Sequence, residues 1–217
     1  MADDYDYGDG DDYDYGEGDD GNENPGDQMS EDVVDIATRI ENKFYDAEDA
    51  LGDQNFQIAI DALHEVISLE QEHTKNTYTL KSFIRIITIQ VEKTKDIESL
   101  KCTTLEQFLN HLATTSNYDQ NTYIEKLFDV MTKVTNPDEW DYINSRILSC
   151  FQNTNKSIWF NALLKPGQNY VNRGDVDKLA ELIKQAKAST QWKEIMENLS
   201  GTGNASFICK VFSFETN

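Results

Sequence analysis

Apolar residues recur at three- and four-residue steps along almost the whole chain after residue 32, which is the period of amphipathic α-helices. The first apolar stripe runs from Val34 to Leu51, and Ser30 is a suitable N-cap for it. A second stripe begins at Asn55, directly after the short turn 51–54. Two amphipathic helices joined by so short a turn are expected to pack antiparallel.

The third segment is ambiguous at first sight, because Phe83–Ile89 is rich in the β-branched residues that are typical of strands. The apolar residues nevertheless keep the helical step from Leu80 to Val91, and no turn residues isolate a short strand, so a helix is predicted over 80–91. Asn136 and Pro137 suit the cap and first turn of a later helix. The further predicted helices cover about 95–113, 120–134, 137–151, 155–172 and 175–199.

Two turns have the residue pattern of a tetratricopeptide-like hairpin. Residues 55–59 and 174–179 each place a turn residue before an apolar residue, followed by a small or apolar residue where two helices cross. A generic helical hairpin gives the same matches and remains the alternative. The prediction is an all-α fold in which residues 33–199 form a right-handed array of antiparallel helix pairs, each burying its apolar face on the next.

The first 32 residues differ sharply in composition from the rest. They contain 14 acidic side chains, four tyrosines and six glycines, but no lysine or arginine. A disordered acidic tail is predicted for residues 1–32, because such a segment has little aliphatic surface to bury and repels itself. Its role stays open between binding a basic partner, docking within the chain and keeping the chain soluble. The remaining residues carry 19 basic and 26 acidic side chains, so the net charge of −21 falls to −7 there.

Charge and apolar pattern argue against two classes of ligand. No helical segment has a basic stripe free of carboxylates, so DNA and RNA are not expected as ligands. No segment is apolar enough to span a bilayer, and the amino terminus lacks a secretory signal. Cys102, Cys150 and Cys209 are odd in number and far apart, which fits reduced thiols. The expected locations are the cytoplasm and the nucleus.

Catalytic chemistry is sparse in the sequence. His64, His73 and His111 are scattered, and none stands at metal-ligand spacing from a cysteine or carboxylate, so each is expected to be a surface or packing residue. The sequence has no glycine-rich phosphate loop, nucleophile elbow or Cys–His signature. We therefore expect no enzymatic activity, no catalytic residue, no metal and no cofactor.

An ordered set of segments resembles a known family. Glu41–Tyr45 follows the acidic start, and Ala59–Glu70 and Leu80–Ile86 come next. The pair Trp159–Phe160 and the segment Lys178–Ile183 then appear in the same order and phase as in that family. Together they resemble the amino-terminal region of the second subunits of the COP-nine signalosome, which belong to the PCI-domain proteins. Proteasome-lid subunits have similar helices, and the acidic tyrosine-rich start together with Trp159–Phe160 favours the signalosome family.

The resemblance implies a non-catalytic scaffold in a complex that removes a ubiquitin-like modifier from cullins, with the catalytic metal held by another subunit. The implied partners are other signalosome subunits, a cullin–RING ubiquitin ligase and an inositol polyphosphate. Lys81 and Arg85 match basic positions of the family and lie on one face of the third helix. They are the predicted contact to an acidic partner or a phosphate. The alternative is an ordinary solvated face, with both side chains lying along their apolar neighbours Phe83 and Ile84.

Two features depart from the family. Tyr78 and Thr79 stand where the family tends to be basic, which weighs against polyphosphate binding. Residues 200–217 form an atypical C-terminal segment, and no winged-helix domain of the kind found in the family follows within the sequence. A free-standing helical-repeat adaptor, outside any such complex, is the functional alternative.

Overall fold

The computed structural model describes the backbone of residues 31–188, and the side chains of residues 36–187 except 168, 172 and 185. The predicted tail up to residue 30, including the Ser30 cap, lies outside the described residues. The same holds for residues 189–199 of the last predicted helix and for the segment 200–217. Residues 31–188 are mostly helical and contain no strand, so the predicted all-α class is confirmed for this part of the chain.

The helices follow one another with short connections. The first hairpin consists of α1, Glu31–Gly52, and α2, Phe56–Glu72. Helix α3, Thr79–Thr88, continues directly into a π-helical segment, Ile89–Thr94. A single turn, α4 (Ile97–Ser99), leads through a second π-helical segment, Leu100–Thr104, into α5, Leu105–Leu112. The remaining helices are α6, Asn117–Met131; α7, Pro137–Phe151; α8, Lys156–Arg173; and α9, Val176–Ala188.

Short polar side chains start several of these helices by accepting a hydrogen bond from a first-turn amide. Asn136 accepts from the amide of Asp138 at 3.0 Å, and α7 has the predicted bounds 137–151. Ser116 accepts from the amide of Asp119 at 3.2 Å, which explains why α6 begins at Asn117 and not at the predicted residue 120. Asn155 starts α8 in the same way, by accepting from the amide of Ile158 at 3.2 Å.

The main core follows the apolar stripes that the sequence predicts. The ambiguous third segment is helical, and Phe83, Ile86 and Ile87 on it are at most 1% exposed. Trp159, at 2% exposed, and Phe151, fully buried, belong to the same cluster farther along the chain. The middle helices bury apolar side chains on two sides, because neighbouring helices cover them on both sides.

Polar contacts also join helices that lie two elements apart in the chain. Tyr78 on the α3 side contacts Glu41 of α1, and Arg85 contacts Glu48, with a separation of 37 residues in both cases. Because the separation is constant, α1 and α3 run in the same direction. A chain that passes up, down and up again through α1, α2 and α3 has this geometry.

The same relation recurs farther along the chain. The hydroxyl of Tyr142 in α7 donates to the carbonyl of Lys101, 41 residues earlier, and Arg146 pairs with Glu106 of α5, 40 residues earlier. Asn155 at the start of α8 donates to Gln120 of α6, 35 residues earlier. Lys178 of α9 contacts Asp138 of α7 across 40 residues. Neighbouring same-direction helices are thus linked by side chains 35–41 residues apart.

One helix contains a proline whose effect is compensated by its neighbour. Pro166 lies inside α8, where it has no N–H to offer the carbonyl of Ala162 four residues earlier. Asn144 of α7, which is 3% exposed, donates from Nδ2 to that carbonyl at 3.0 Å. The other amide atom of Asn144, Oδ1, is buried without a hydrogen-bond partner in the structure. Helix α7 therefore supplies the hydrogen bond that α8 lacks at Pro166.

Within residues 31–188, none of the helices has both the length and the apolar character needed to cross a lipid bilayer.

Candidate functional site

The two predicted contact residues lie one turn apart on the exposed side of α3. The ammonium of Lys81 lies 4.7 Å above the centre of the Tyr78 ring, which is a cation–π arrangement. The guanidinium of Arg85 is bound by both oxygens of Glu48, with Nε to Oε1 and Nη2 to Oε2 each at 2.7 Å. The structure therefore brings each residue into contact with a specific neighbour, and one of these neighbours lies on α1.

Tyr78, at the start of α3, makes a second connection between α1 and α3. Its hydroxyl donates to Glu41 of α1 at 3.2 Å, and its ring lies 4.9 Å from the ring of Phe44. Burial, followed by the hydrogen bond to Glu41, raises the pKa of Tyr78 above its ordinary value. Tyr45, the next aromatic residue on α1, is 55% exposed and packs edge-on against Phe44. The result is a small aromatic cluster that is open to solvent.

These residues form one continuous surface, which we call the α1–α3 surface. Its members are Glu41, Phe44, Tyr45, Glu48, Tyr78, Lys81 and Arg85.

The charges of the α1–α3 surface are partly paired. Glu48 engages two of the five N–H donors of the Arg85 guanidinium, so three remain for another acceptor. Lys81 is exposed, and within the described residues its ammonium lies in no ion pair. The aromatic rings and Arg85 are residue types that are over-represented in protein interfaces, whereas Lys81 is of a type that is depleted there.

An open cavity lies at the end of this surface, where the α1–α2 turn faces the end of α3. Its volume is about 730 Å³, and Leu51, Phe56 and Ile89 supply apolar lining. Arg85 and Glu48 also line it, which makes the cavity continuous with the α1–α3 surface. The size is in the range of small-ligand sites, but the charged lining contains acidic and basic groups together and selects no ligand class.

Burial shifts the pKa of three of the histidine and cysteine side chains that the structure describes. Burial lowers the pKa of His64 and of His111, which keeps both rings neutral near pH 7. Burial raises the pKa of Cys150, whose thiol donates weakly to the carbonyl of Leu109. Cys209 lies outside the described residues. Among the side chains that the structure describes, no three of His, Cys, Asp or Glu are grouped so that they could hold a metal ion.

Sequence reasoning found Lys81 and Arg85 but missed the partners that hold them. Glu41 and Glu48 are seven residues apart on α1, and Tyr78 and Arg85 are seven apart on the α3 side. The equal spacing of the two acids on α1 and of their two partners on the α3 side was the signal in the sequence that could have indicated these contacts. Whether Lys81 and Arg85 contact an acidic partner stays a prediction.

Comparison of the chain with protein-family models, with curated proteins and with solved structures gives no match. The α1–α3 surface and the resemblance of the sequence segments are therefore the grounds for assigning a function.

Proposed function

We propose that the chain is a non-catalytic scaffold of a COP-nine signalosome-type complex, which removes a ubiquitin-like modifier from cullins. The observation that carries the proposal is the α1–α3 surface. It contains Lys81 and Arg85, whose positions in the sequence match basic positions of the family, and an exposed aromatic residue, Tyr45. The partners in this proposal are the other signalosome subunits and a cullin–RING ubiquitin ligase. The chain would act in the cytoplasm and the nucleus.

The proposed architecture behind this function is a right-handed, tetratricopeptide-like array of antiparallel helix pairs. Support comes from the side-chain links between same-direction helices, which span 35–41 residues. Helical repeats of this kind have periods of roughly 34–47 residues. An array offers successive helices along an extended surface, which suits a scaffold that contacts several chains.

The proposal includes an inositol polyphosphate as a ligand of Lys81 and Arg85. Three guanidinium donors of Arg85 are not engaged by Glu48, and the Lys81 ammonium is exposed four residues away. Glu41 and Glu48 lie on the same surface and oppose the approach of an anion. Because these charges act in opposite directions, direct titration of the chain with inositol hexaphosphate is the test of polyphosphate binding.

Two other functions use the same surface. A free-standing helical-repeat adaptor would bind a partner through the α1–α3 surface without joining any signalosome-type complex. A proteasome-lid-like subunit would assemble with lid subunits in place of signalosome subunits. Both are distinguished from the first proposal by the identity of the bound chains.

The test is affinity purification of the tagged full chain from cells, followed by direct binding to a purified cullin–RING complex. Signalosome subunits and a cullin among the recovered chains support the proposal, and lid subunits support the second alternative. The double variant Lys81→Ala/Arg85→Ala should weaken cullin–RING binding by about tenfold or more, because interface Arg residues carry such losses. Lys133→Ala, an exposed lysine beyond α6, is the matched control and should bind normally. Wild-type failure to bind any cullin–RING complex contradicts the proposal.

A further inference from the structure

A carboxylate lies buried behind the α1–α3 surface. Glu70 of α2 is 1% exposed, although glutamate side chains are seldom fully buried. Its Oε1 accepts from the amide of Thr77 at 2.8 Å, and its Oε2 accepts from the amide and the hydroxyl of Thr79 at 2.6 and 2.7 Å. The amide of Tyr78 lies 3.0 and 2.9 Å from the two oxygens. All these donors belong to the start of α3 or to the residues just before it.

This carboxylate replaces the cap that α3 lacks in its own sequence. The first amides of a helix have no partner within the helix and need an acceptor. Tyr78 stands at the N-cap position without a capping side-chain hydrogen bond, and the first turn of α3 contains no acidic residue. A negative charge at a helix N-terminus is also favourable because of the helix dipole. Glu70 supplies both the acceptor and the charge from the neighbouring helix.

Glu70 holds both ends of the loop between α2 and α3. Its backbone carbonyl accepts from the amide of Lys75 at 2.8 Å, while its side chain holds residues 77–79. Thr74 between them has a positive φ of 53°, a conformation that a non-glycine residue adopts only when its surroundings impose it. The loop thus follows a path fixed by one residue.

Tyr78 belongs both to this buried network and to the exposed surface. Its amide is held by Glu70, and its ring contacts Phe44 and lies beneath the Lys81 ammonium. A shift of the start of α3 would move these contacts together with the whole of α3, including Arg85. The buried hydrogen bonds of Glu70 therefore determine the geometry of the α1–α3 surface.

We propose that Glu70 is the positioning residue of the α1–α3 surface, so that partner binding through Lys81 and Arg85 depends on a carboxylate that no partner can touch. This inference rests on the proposed function for the identity of the partner. The claim that Glu70 fixes the position of α3 is independent of the proposed function, because that position is measurable without a partner.

The main variant is Glu70→Gln, which keeps the size of the side chain but turns one acceptor oxygen into a donor that faces amide donors. Glu72→Gln, an exposed residue at the end of the same helix, is the matched control. Hydrogen exchange of the amides of residues 77–79 should become about tenfold faster or more in Glu70→Gln, because hydrogen bonds to a charged acceptor are lost. Exchange in α7 and in Glu72→Gln should stay as in the wild type.

A second variant, Thr79→Val, removes only the hydroxyl donor and covers the case in which Glu70→Gln does not fold. Position 70 is still a glutamate in this variant, so the NMR titration of the Tyr78 phenol reports a change in the position of the Tyr78 ring. We expect the raised pKa of Tyr78 to move back toward 10 as the ring leaves Glu41. An unchanged titration together with unchanged exchange at 77–79 overturns the positioning role.

Binding to a purified cullin–RING complex decides the functional half of the inference. Glu70→Gln should weaken this binding about as much as Lys81→Ala/Arg85→Ala does. Adding Glu70→Gln to Lys81→Ala/Arg85→Ala should weaken binding little further, because Glu70 acts on the partner only through these two side chains. Wild-type affinity in Glu70→Gln, despite fast exchange at 77–79, overturns the inference. If the wild-type chain binds no cullin–RING complex, the proposed function fails, and the exchange and titration results alone decide whether Glu70 positions α3.

Discussion

Replacing Asn144 should cost more stability when Pro166 is present than when it is absent. In the wild type, the Asn144 amide is the partner of the Ala162 carbonyl, which Pro166 cannot reach with an N–H. In Pro166→Ala, the new backbone N–H can bond to that carbonyl in the ordinary helical way. The effect of Asn144→Ala therefore depends on the residue at position 166.

The expected magnitude follows from the burial of the groups. A buried carbonyl left without a partner costs about 1–3 kcal/mol. Asn144→Ala also removes the buried Oδ1 that has no partner, and this gain offsets part of the loss in both backgrounds. That gain and the cost of the cavity left by Asn144→Ala are the same in both backgrounds, so they cancel when the two free-energy changes are subtracted. We expect Asn144→Ala to be more destabilising in the wild-type background than in the Pro166→Ala background by about 1–2 kcal/mol.

The assay is urea denaturation of the four chains of this cycle, followed by the helical circular dichroism signal. A second cycle that pairs Pro166→Ala with Asn121→Ala is the control, because the Asn121 side chain bonds at 2.8 Å to the carbonyl of Asn117 within its own helix, α6, and not to α8. The control cycle should be additive within about 0.5 kcal/mol. The same additivity for Asn144 and Pro166 would show that α7 does not supply the hydrogen bond missing from α8.

Three other predictions concern burial. Trp159→Ala should lower the free energy of unfolding by about 3–5 kcal/mol, because the indole is 2% exposed, and an unchanged denaturation midpoint contradicts this. Alkylation followed by mass spectrometry should modify the exposed Cys102 before Cys150, whose pKa is raised by burial; faster reaction at Cys150 contradicts it. The lowered pKa values of His64 and His111 mean that the unfolded chain takes up protons more readily, so stability present above pH 6.5 is lost as the pH falls through the folded values. The Tm should therefore decrease on acidification from pH 6.5, and decrease less in His111→Gln; equal slopes would exclude His111 as a source.

The helices were predictable wherever the signals are local. Asn136 and Pro137 lie next to each other in the sequence and fix the start of α7 without help from the rest of the chain. Ser116 is an equally local cap, and the predicted start of α6 at residue 120 was late because the apolar stripe, and not the cap, set the boundary. The π-helical segments 89–94 and 100–104 were not predicted, since the apolar spacing there is the same as in an α-helix.

Polar contacts between residues far apart in the chain could not be predicted from the sequence. Arg85 was predicted as an exposed cation, but its bond to Glu48 depends on how α1 and α3 lie beside each other. Glu70 and Asn144 look like ordinary polar residues of helical segments, and their roles appear only with the start of α3 and with Pro166 in place. Buried polar residues of this kind are recognised by their partners, which a single sequence does not identify.

The regular spacing of the links between helices bears on how the chain folds during synthesis. A helix can reach its same-direction neighbour once about 35–41 further residues have been made, so no helix among those linked waits for a distant part of the chain. At roughly 5–20 residues per second, a ribosome makes such a stretch within a few seconds. Contacts this close in sequence are also those that close the smallest loops and form fastest. The α1–α3 surface can therefore be complete while the ribosome is still adding α6 and α7.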